Sequence, residues 1–251
     1  MAFPMIGTVA LSMVMPLQKA VAVLAIPTLI INLLTFFKRD DEQQSVQYKS
    51  DLKKTFFRET YSQEIGRYLQ QYWLLVVTSL IGSVLGVKLL LILPVAYLYL
   101  SISLVTLYYA IHGWLSLIGK VKHFTVPNTQ LSMAIFGLFS GIVGGSTNAM
   151  SPILLIYLFS YTQNRNEISK ISNLCYAMGK LVQIYFLWQQ FTQFSQRDII
   201  SLIIITLISI LFLFVGIKVR GKISQVVFKQ LIYVVLLILA VKIGYSGIKA
   251  W

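Results

Sequence analysis

The sequence predicts an all-α fold: a polytopic transmembrane helix bundle of seven to eight helices, built from two related halves, with a broken helix in the second half. Three observations carry this. Of 251 residues, 57% are hydrophobic and only 12% are charged, roughly half the charge of a soluble domain, and mean hydropathy is +0.76. The apolar residues fall into runs near the ~20 residues that a membrane-crossing helix needs. The runs are too long for barrel strands, and lipid admits only helices and closed barrels. A chain this apolar cannot cover itself with polar surface. That excludes a soluble enzyme, a nucleic-acid-binding domain and a disordered protein.

Net charge is +13, from 21 Lys+Arg against 8 Asp+Glu. The basic residues sit mostly in short loops and at helix ends, where they act as orientation signals and lipid-headgroup contacts. Cys175 is the single cysteine, so no disulfide forms within the chain, and His112 and His123 are too few for a metal cluster.

Taken in order, residues 1–15 are apolar but short for a span. Leu17–Phe37 is a full span carrying Pro27 and Asn32. Residues 38–71 form the one long polar stretch. Its second half, 52–72, reads either as an amphipathic helix on the headgroups or as a solvated loop. Spans follow at 73–93, 94–118, 131–161 (interrupted), 168–189, 199–217 and 227–245. The long loop, Lys120, Lys122, Arg197, Lys242 and Lys249 fall on one side, which the excess of Lys and Arg makes cytoplasmic together with the C-terminus. Arg165, Lys170 and residues 218–229 fall on the other.

The halves, 1–118 and 119–251, resemble each other. Pro4 matches Pro152, Lys19 matches Lys170, Asn32 matches Gln183, and Gly86-Val87-Lys88 matches Gly216-Ile217-Lys218. Four spans per half is an even number, which predicts equal orientation and a symmetry axis along the membrane normal. The counterpart of residues 131–150 is missing ahead of Pro4. That predicts a late start or a natural truncation, with the first residues beginning at membrane depth.

The most informative segment is 131–158. Gly137, Gly141 and Gly145 recur every four residues and make a smooth face for a neighbouring helix. Gly144-Gly145-Ser146-Thr147-Asn148 then interrupts the apolar pattern, and Ser151-Pro152 restarts it as a helix start. Non-helical backbone is expected between about Gly144 and Ser151. The new helix would aim free N–H groups and its positive end at a cavity, half of an anion site. The alternative is a kink that only helps packing. Lys180 lies within the next span with no acid in any apolar span to pair with it. It either answers an anion's charge, or it snorkels or becomes neutral. Candidate substrate-binding residues are therefore Gly144, Gly145, Ser146, Thr147, Asn148, Ser151, Pro152 and Lys180, with Asn32 and Gln183 as lining groups. No catalytic or metal-binding residues and no cofactor are expected.

The run GLFSGIVGGSTNAMSPILLIYL, with the polar span after it, resembles the sulfite exporter TauE/SafE family, also called the toluene sulfonate uptake permease family. The second-half resemblance covers about 131–191, and Pro4–Phe37 resembles the family more weakly. It implies a bacterial or archaeal multi-pass transporter of the cytoplasmic (inner) membrane, carrying sulfite or related sulfur-containing organic anions. Expected partners are a small anionic substrate and membrane lipid, with a second copy of the chain a candidate and nucleic acid excluded. The competing reading is a membrane scaffold or assembly subunit that transports nothing. An intramembrane enzyme lacks a catalytic constellation.

Overall fold

The computed structural model describes residues 3–12, 14–37, 53–119, 126–127, 129–162, 165–220 and 225–249. It is all-helical: α1 (Phe3–Leu11), α2 (Leu17–Phe37), α3 (Lys53–Ile92), α4 (Val95–Leu117), α5 (Gln130–Thr147), α6 (Ser151–Tyr161), α7 (Arg165–Phe186), α8 (Trp188–Thr192), α9 (Gln196–Arg220) and α10 (Gln225–Lys249). Among the described residues, five helices are long and apolar enough to cross a membrane: Leu17–Phe37, Gly66–Ile92, Val95–Leu117, Gln130–Thr147 and Gln196–Gly216. The sequence led us to expect seven to eight.

Helix α7 is not among the five although it has 22 residues. Its polar residues lower its hydropathy, and they point inward. Glu167, Lys170, Asn173, Lys180 and Gln183 are buried, while Leu181 and Tyr185 are exposed. This reverses the soluble pattern of apolar inside and polar outside. It suits a helix with lipid on one side and a polar interior on the other. Helix α9 is the opposite case. Only 6% of its apolar window is buried, and Ile203, Leu207, Leu211 and Phe212 are exposed.

Helices α3 and α5 run parallel and make the closest seam. A methyl on Gly141 would stand 2.1 Å from the Ser79 carbonyl oxygen, and one on Gly82 would stand 2.1 Å from that of Leu138. Gly86 meets Ile142 and Gly145 meets Ser83 in the same way. The four-residue glycine spacing thus lets two backbones touch, as expected of small residues between membrane helices.

The expected interruption of 131–161 is narrower and sharper than the sequence suggested. Helix α5 continues through Gly144–Thr147, where the Ser146 and Thr147 hydroxyls bond back to the Ile142 and Val143 carbonyls. Asn148 then adopts the left-handed conformation, φ 63°, with its N–H on Gly144 O at 3.0 Å. That cap turns the chain back. Phe136 of α5 lies 5.8 Å from Tyr157 of α6, ring to ring, and Tyr161 lies 5.3 Å from Tyr72 of α3. The segment is therefore a helical hairpin, and not one span with a kink.

Other contacts fix the remaining directions. Tyr72 meets Glu167, and Gly179 faces Ser83, so α7 runs parallel to α3. Gln18 donates to Leu90 O at 3.3 Å, so α2 runs antiparallel to α3. Gly7 packs on Leu24, which folds α1 along α2. Lys19 meets Asp198, setting the starts of α2 and α9 together. Ser103 faces Gly244, and Gly113 faces Tyr233, so α4 and α10 are antiparallel.

The ends of α2, α4, α6 and α9 and the starts of α3, α5, α7 and α10 consequently share one end of the bundle, called the lower end here. The upper end holds the connections α1–α2 and α3–α4, the start of α9 and the end of α10. This corrects the expected sidedness. Residues 165–170 and the end of α9 lie at the same end as the start of α3, and the end of α10 lies opposite. Residues 53–71 are helical, as one of the two readings had it, but continuous with the span after them and not a separate helix. Residues 38–52 lie outside the described residues.

Candidate functional site

Lys180 and Gln183 stand one turn apart on α7, on the face turned to the Asn148 reversal. The Lys180 ammonium donates to the Asn148 carboxamide oxygen, and to Gln183 Oε1 at 2.6 Å. Gln183 Nε2 in turn reaches Gly144 O at 3.0 Å, Gly145 O at 2.9 Å and Asn148 Oδ1 at 2.9 Å. The last carbonyls of a helix have no intrahelical partner, so Gln183 caps α5 from the side. The ammonium near that negative helix end is favourably placed. Asn148 Nδ2 donates to Thr8 Oγ1 at 2.7 Å, and Thr8 Oγ1 donates to Pro4 O at 2.7 Å. One network thus joins α1, the α5–α6 reversal and α7.

Beside this network lies a cavity of about 20 Å³, lined in part by Pro4, Thr28, Ser83, Ser151, Lys180 and Gln183. That is room for a water molecule or two. Two helices begin at it. Helix α6 starts at Ser151 with Pro152 in its first turn, and Pro4 opens α1. Helix starts carry unpaired N–H groups and partial positive charge. The Thr28 hydroxyl, buried at the cavity, has no hydrogen-bond partner. Polar atoms left so are uncommon in folded proteins.

The site expected from sequence is brought together in part. Gly144, Asn148, Ser151, Lys180 and Gln183 line the cavity. Gly145 contributes its carbonyl to Gln183 but faces the α3 seam. Ser146 and Thr147 spend their hydroxyls on the backbone of α5. Pro152 is buried in the first turn of α6 and does not line the cavity. Asn32 is buried on α2, its Nδ2 unpartnered, one turn beyond Thr28 and off the lining.

Sequence reasoning missed Thr8, Thr28, Ser83, Tyr176 and Gly179. Each is a small or aromatic residue in an apolar helix, with nothing in its spacing to separate it from packing. Pro4 carried a signal, its match to Pro152, but was not read as part of the site.

Fold and site together define a multi-pass α-helical membrane protein whose interior holds a buried ammonium at facing helix ends. The sulfite exporter TauE/SafE family model matches residues 62–243, and the chain belongs to that family. The match leaves out Pro4–Phe37, where the resemblance was weaker. No curated protein and no solved structure matches the chain. The family is one of membrane transporters.

Proposed function

We propose that the chain carries small anions, sulfite or organosulfonates, across the cytoplasmic (inner) membrane, and that they bind at the cavity beside Lys180. One observation carries this reading. The buried Lys180 ammonium and the starts of α1 and α6 converge on one cavity, and neither described acid of the helix starts, Glu167 or Asp198, lines it. Three sources of positive potential without a carboxylate suit an anion. A scaffold would be expected to pack the reversal shut, so the cavity favours transport.

The cavity as it stands takes water and is too small for an oxyanion. Lys180 is meanwhile satisfied by two amide oxygens, of Asn148 and Gln183. Binding would exchange these neutral acceptors for the anion's own oxygens and widen the space beneath the helix starts. Both amides can rotate and donate N–H to the anion once released.

Two related halves of opposite orientation support a transport cycle. Helix α1 runs upward from the cavity and α6 runs downward from it. Helix α2 pairs with α7, α4 with α10, and the contact of α3 with α7 has its counterpart in that of α2 with α9. The hairpin at Asn148 adds a pass to the second half. The count becomes odd, which favours an axis in the membrane plane over the normal-directed axis that an even count implied.

The lower end is the cytoplasmic one in this reading. Among the described residues, Lys19, Lys88, Arg197, Lys242 and Lys249 belong to the upper end and Lys180 is interior; Lys53, Lys54, Arg58, Arg67, Arg165, Lys170, Lys218, Arg220 and Lys229 belong to the lower helix ends. The test is uptake into reconstituted vesicles of labelled sulfite and a labelled sulfonate, against a labelled cation of similar size. Saturable uptake of the anions alone is expected. Uptake of the cation, or of none of the three, would overturn the reading.

A further inference from the structure

Two polar locks tie elements of the proposed first half to elements of the second, at opposite ends of the cavity. Above it, Lys19 Nζ of α2 meets Asp198 Oδ2 of α9 at 2.7 Å. Asp198 also accepts from Ser195 N and Oγ at 2.8 and 2.7 Å, which fastens it to the start of its own helix. The Lys19 ammonium lies 5.8 Å from the centre of the Phe194 ring. Below the cavity, Tyr72 OH of α3 donates to Glu167 Oε1 of α7 at 2.9 Å. Thr162 Oγ1 donates to the other oxygen of Glu167 at 2.7 Å.

Each lock is backed by aromatic rings. Phe191 and Phe194 pack 5.1 Å apart above, and Tyr157 and Tyr161 pack 6.0 Å apart below. Lys19 lies about 13 Å along α2 from Thr28, and Glu167 about 20 Å along α7 from Lys180, at 1.5 Å per residue. The two locks thus stand on either side of the cavity along the bundle.

We propose that Lys19–Asp198 and Tyr72–Glu167 are the two gates of the cavity, and that they open one at a time. This rests on the transport reading above and adds the regulation of access to that site. Opening the upper gate parts α9 from α2, the helix along which α9 chiefly packs. Opening the lower gate parts α7 from α3. Because α3 is held against α5 by the glycine seam, α7 is the helix that moves there. Simultaneous opening would leave a continuous pore, which alternating access forbids.

The test is thiol accessibility, which needs no substrate. Ser151→Cys reports from the cavity lining in a Cys175→Ser background, Cys175 being the single native cysteine. An impermeant thiol reagent is applied from either side of oriented vesicles. Asp198→Asn should raise the labelling rate from the upper side alone, about two- to fivefold, the population shift expected of a part-exposed ion pair. Lys19→Gln should do the same. Glu167→Gln and Tyr72→Phe should raise it from the lower side alone.

The exchange Lys19→Asp with Asp198→Lys restores the pair and should label at the parental rate. It keeps the upper gate readable if Asp198→Asn does not fold. A rise from the same side for both locks, no rise for either, or a raised rate in the exchanged pair overturns the gates. One-sided labelling without anion uptake would instead overturn the transport reading and leave the gates standing.

Discussion

The Lys180 ammonium and the Asn148 carboxamide oxygen, on different helices and 32 residues apart in sequence, are hydrogen-bonded inside the bundle. The contact joins the one positive charge of the site to the residue that reverses the chain. Charge and backbone geometry therefore depend on the same side chain.

Asn148 is expected to be replaceable by Gly more cheaply than by Ala. Both lose the bonds to Lys180 and Thr8. Only Ala also bears the steric cost of φ 63°, about 1 kcal/mol. Thermal unfolding in detergent should rank the parent first, Asn148→Gly second and Asn148→Ala third. Equal stability of the two variants would mean that the left-handed turn does not constrain this position.

The glycine seam gives a sharper contrast. Gly141→Ala drives a methyl to 2.1 Å from a backbone oxygen of α3, whereas a methyl at Gly66 meets nothing within 4 Å. Forced repacking of that kind costs about 1–3 kcal/mol or more. Gly66→Ala should instead be neutral or stabilising, by up to about 1 kcal/mol, from helix propensity. Unfolding temperatures of the two variants check this. A Gly141→Ala protein as stable as the parent would contradict the seam.

Gln183 separates capping from charge. Gln183→Leu removes the side-chain donor from the Gly145 carbonyl and leaves Gly144 O with the Asn148 N–H, at a cost of about 1–3 kcal/mol. Gln183→Glu loses the same donor but places a carboxylate on Lys180 at the same reach, and should hold the ammonium in an internal pair. The expected outcome is a folded Gln183→Glu protein with anion uptake lost, read by sulfite uptake alongside thermal unfolding. Normal uptake by this variant would show that the Lys180 charge is not what the anion meets.

Helix directions predict sidedness. A reporter inserted in the 38–52 connection and one fused after Trp251 should sit on opposite sides of the membrane. Protease protection in vesicles reads this directly, and protection of both reporters together would contradict the hairpin at Asn148.

Much of the bundle was legible in the sequence because length and apolar run define a membrane helix by themselves. The glycine face at Gly137, Gly141 and Gly145 was legible for the same local reason, a four-residue spacing on one helix. Direction was not. A Gly-Gly-Ser-Thr-Asn run announces that a helix can end, but the same residues serve a kink and a reversal. The choice rests on the left-handed Asn148 and on Phe136 meeting Tyr157. From that one ambiguity came the side assigned to the end of the chain. Lys180 and Gln183 stood out as polar groups in an apolar span. Thr28 and Ser83 did not, since hydroxyls in membrane helices commonly bond to their own backbone, as Ser83 does to Ser79 O.

The most direct test of the site is Lys180→Met in reconstituted vesicles, with labelled sulfite as the probe. Methionine keeps the length and apolar stem of lysine and removes only the charge and its donors. The protein should insert and fold, and sulfite uptake should fall to the level of vesicles without protein. Uptake at the parental rate by a folded Lys180→Met protein would contradict the account, leaving Lys180 as a cap for α5 and the cavity without its anion.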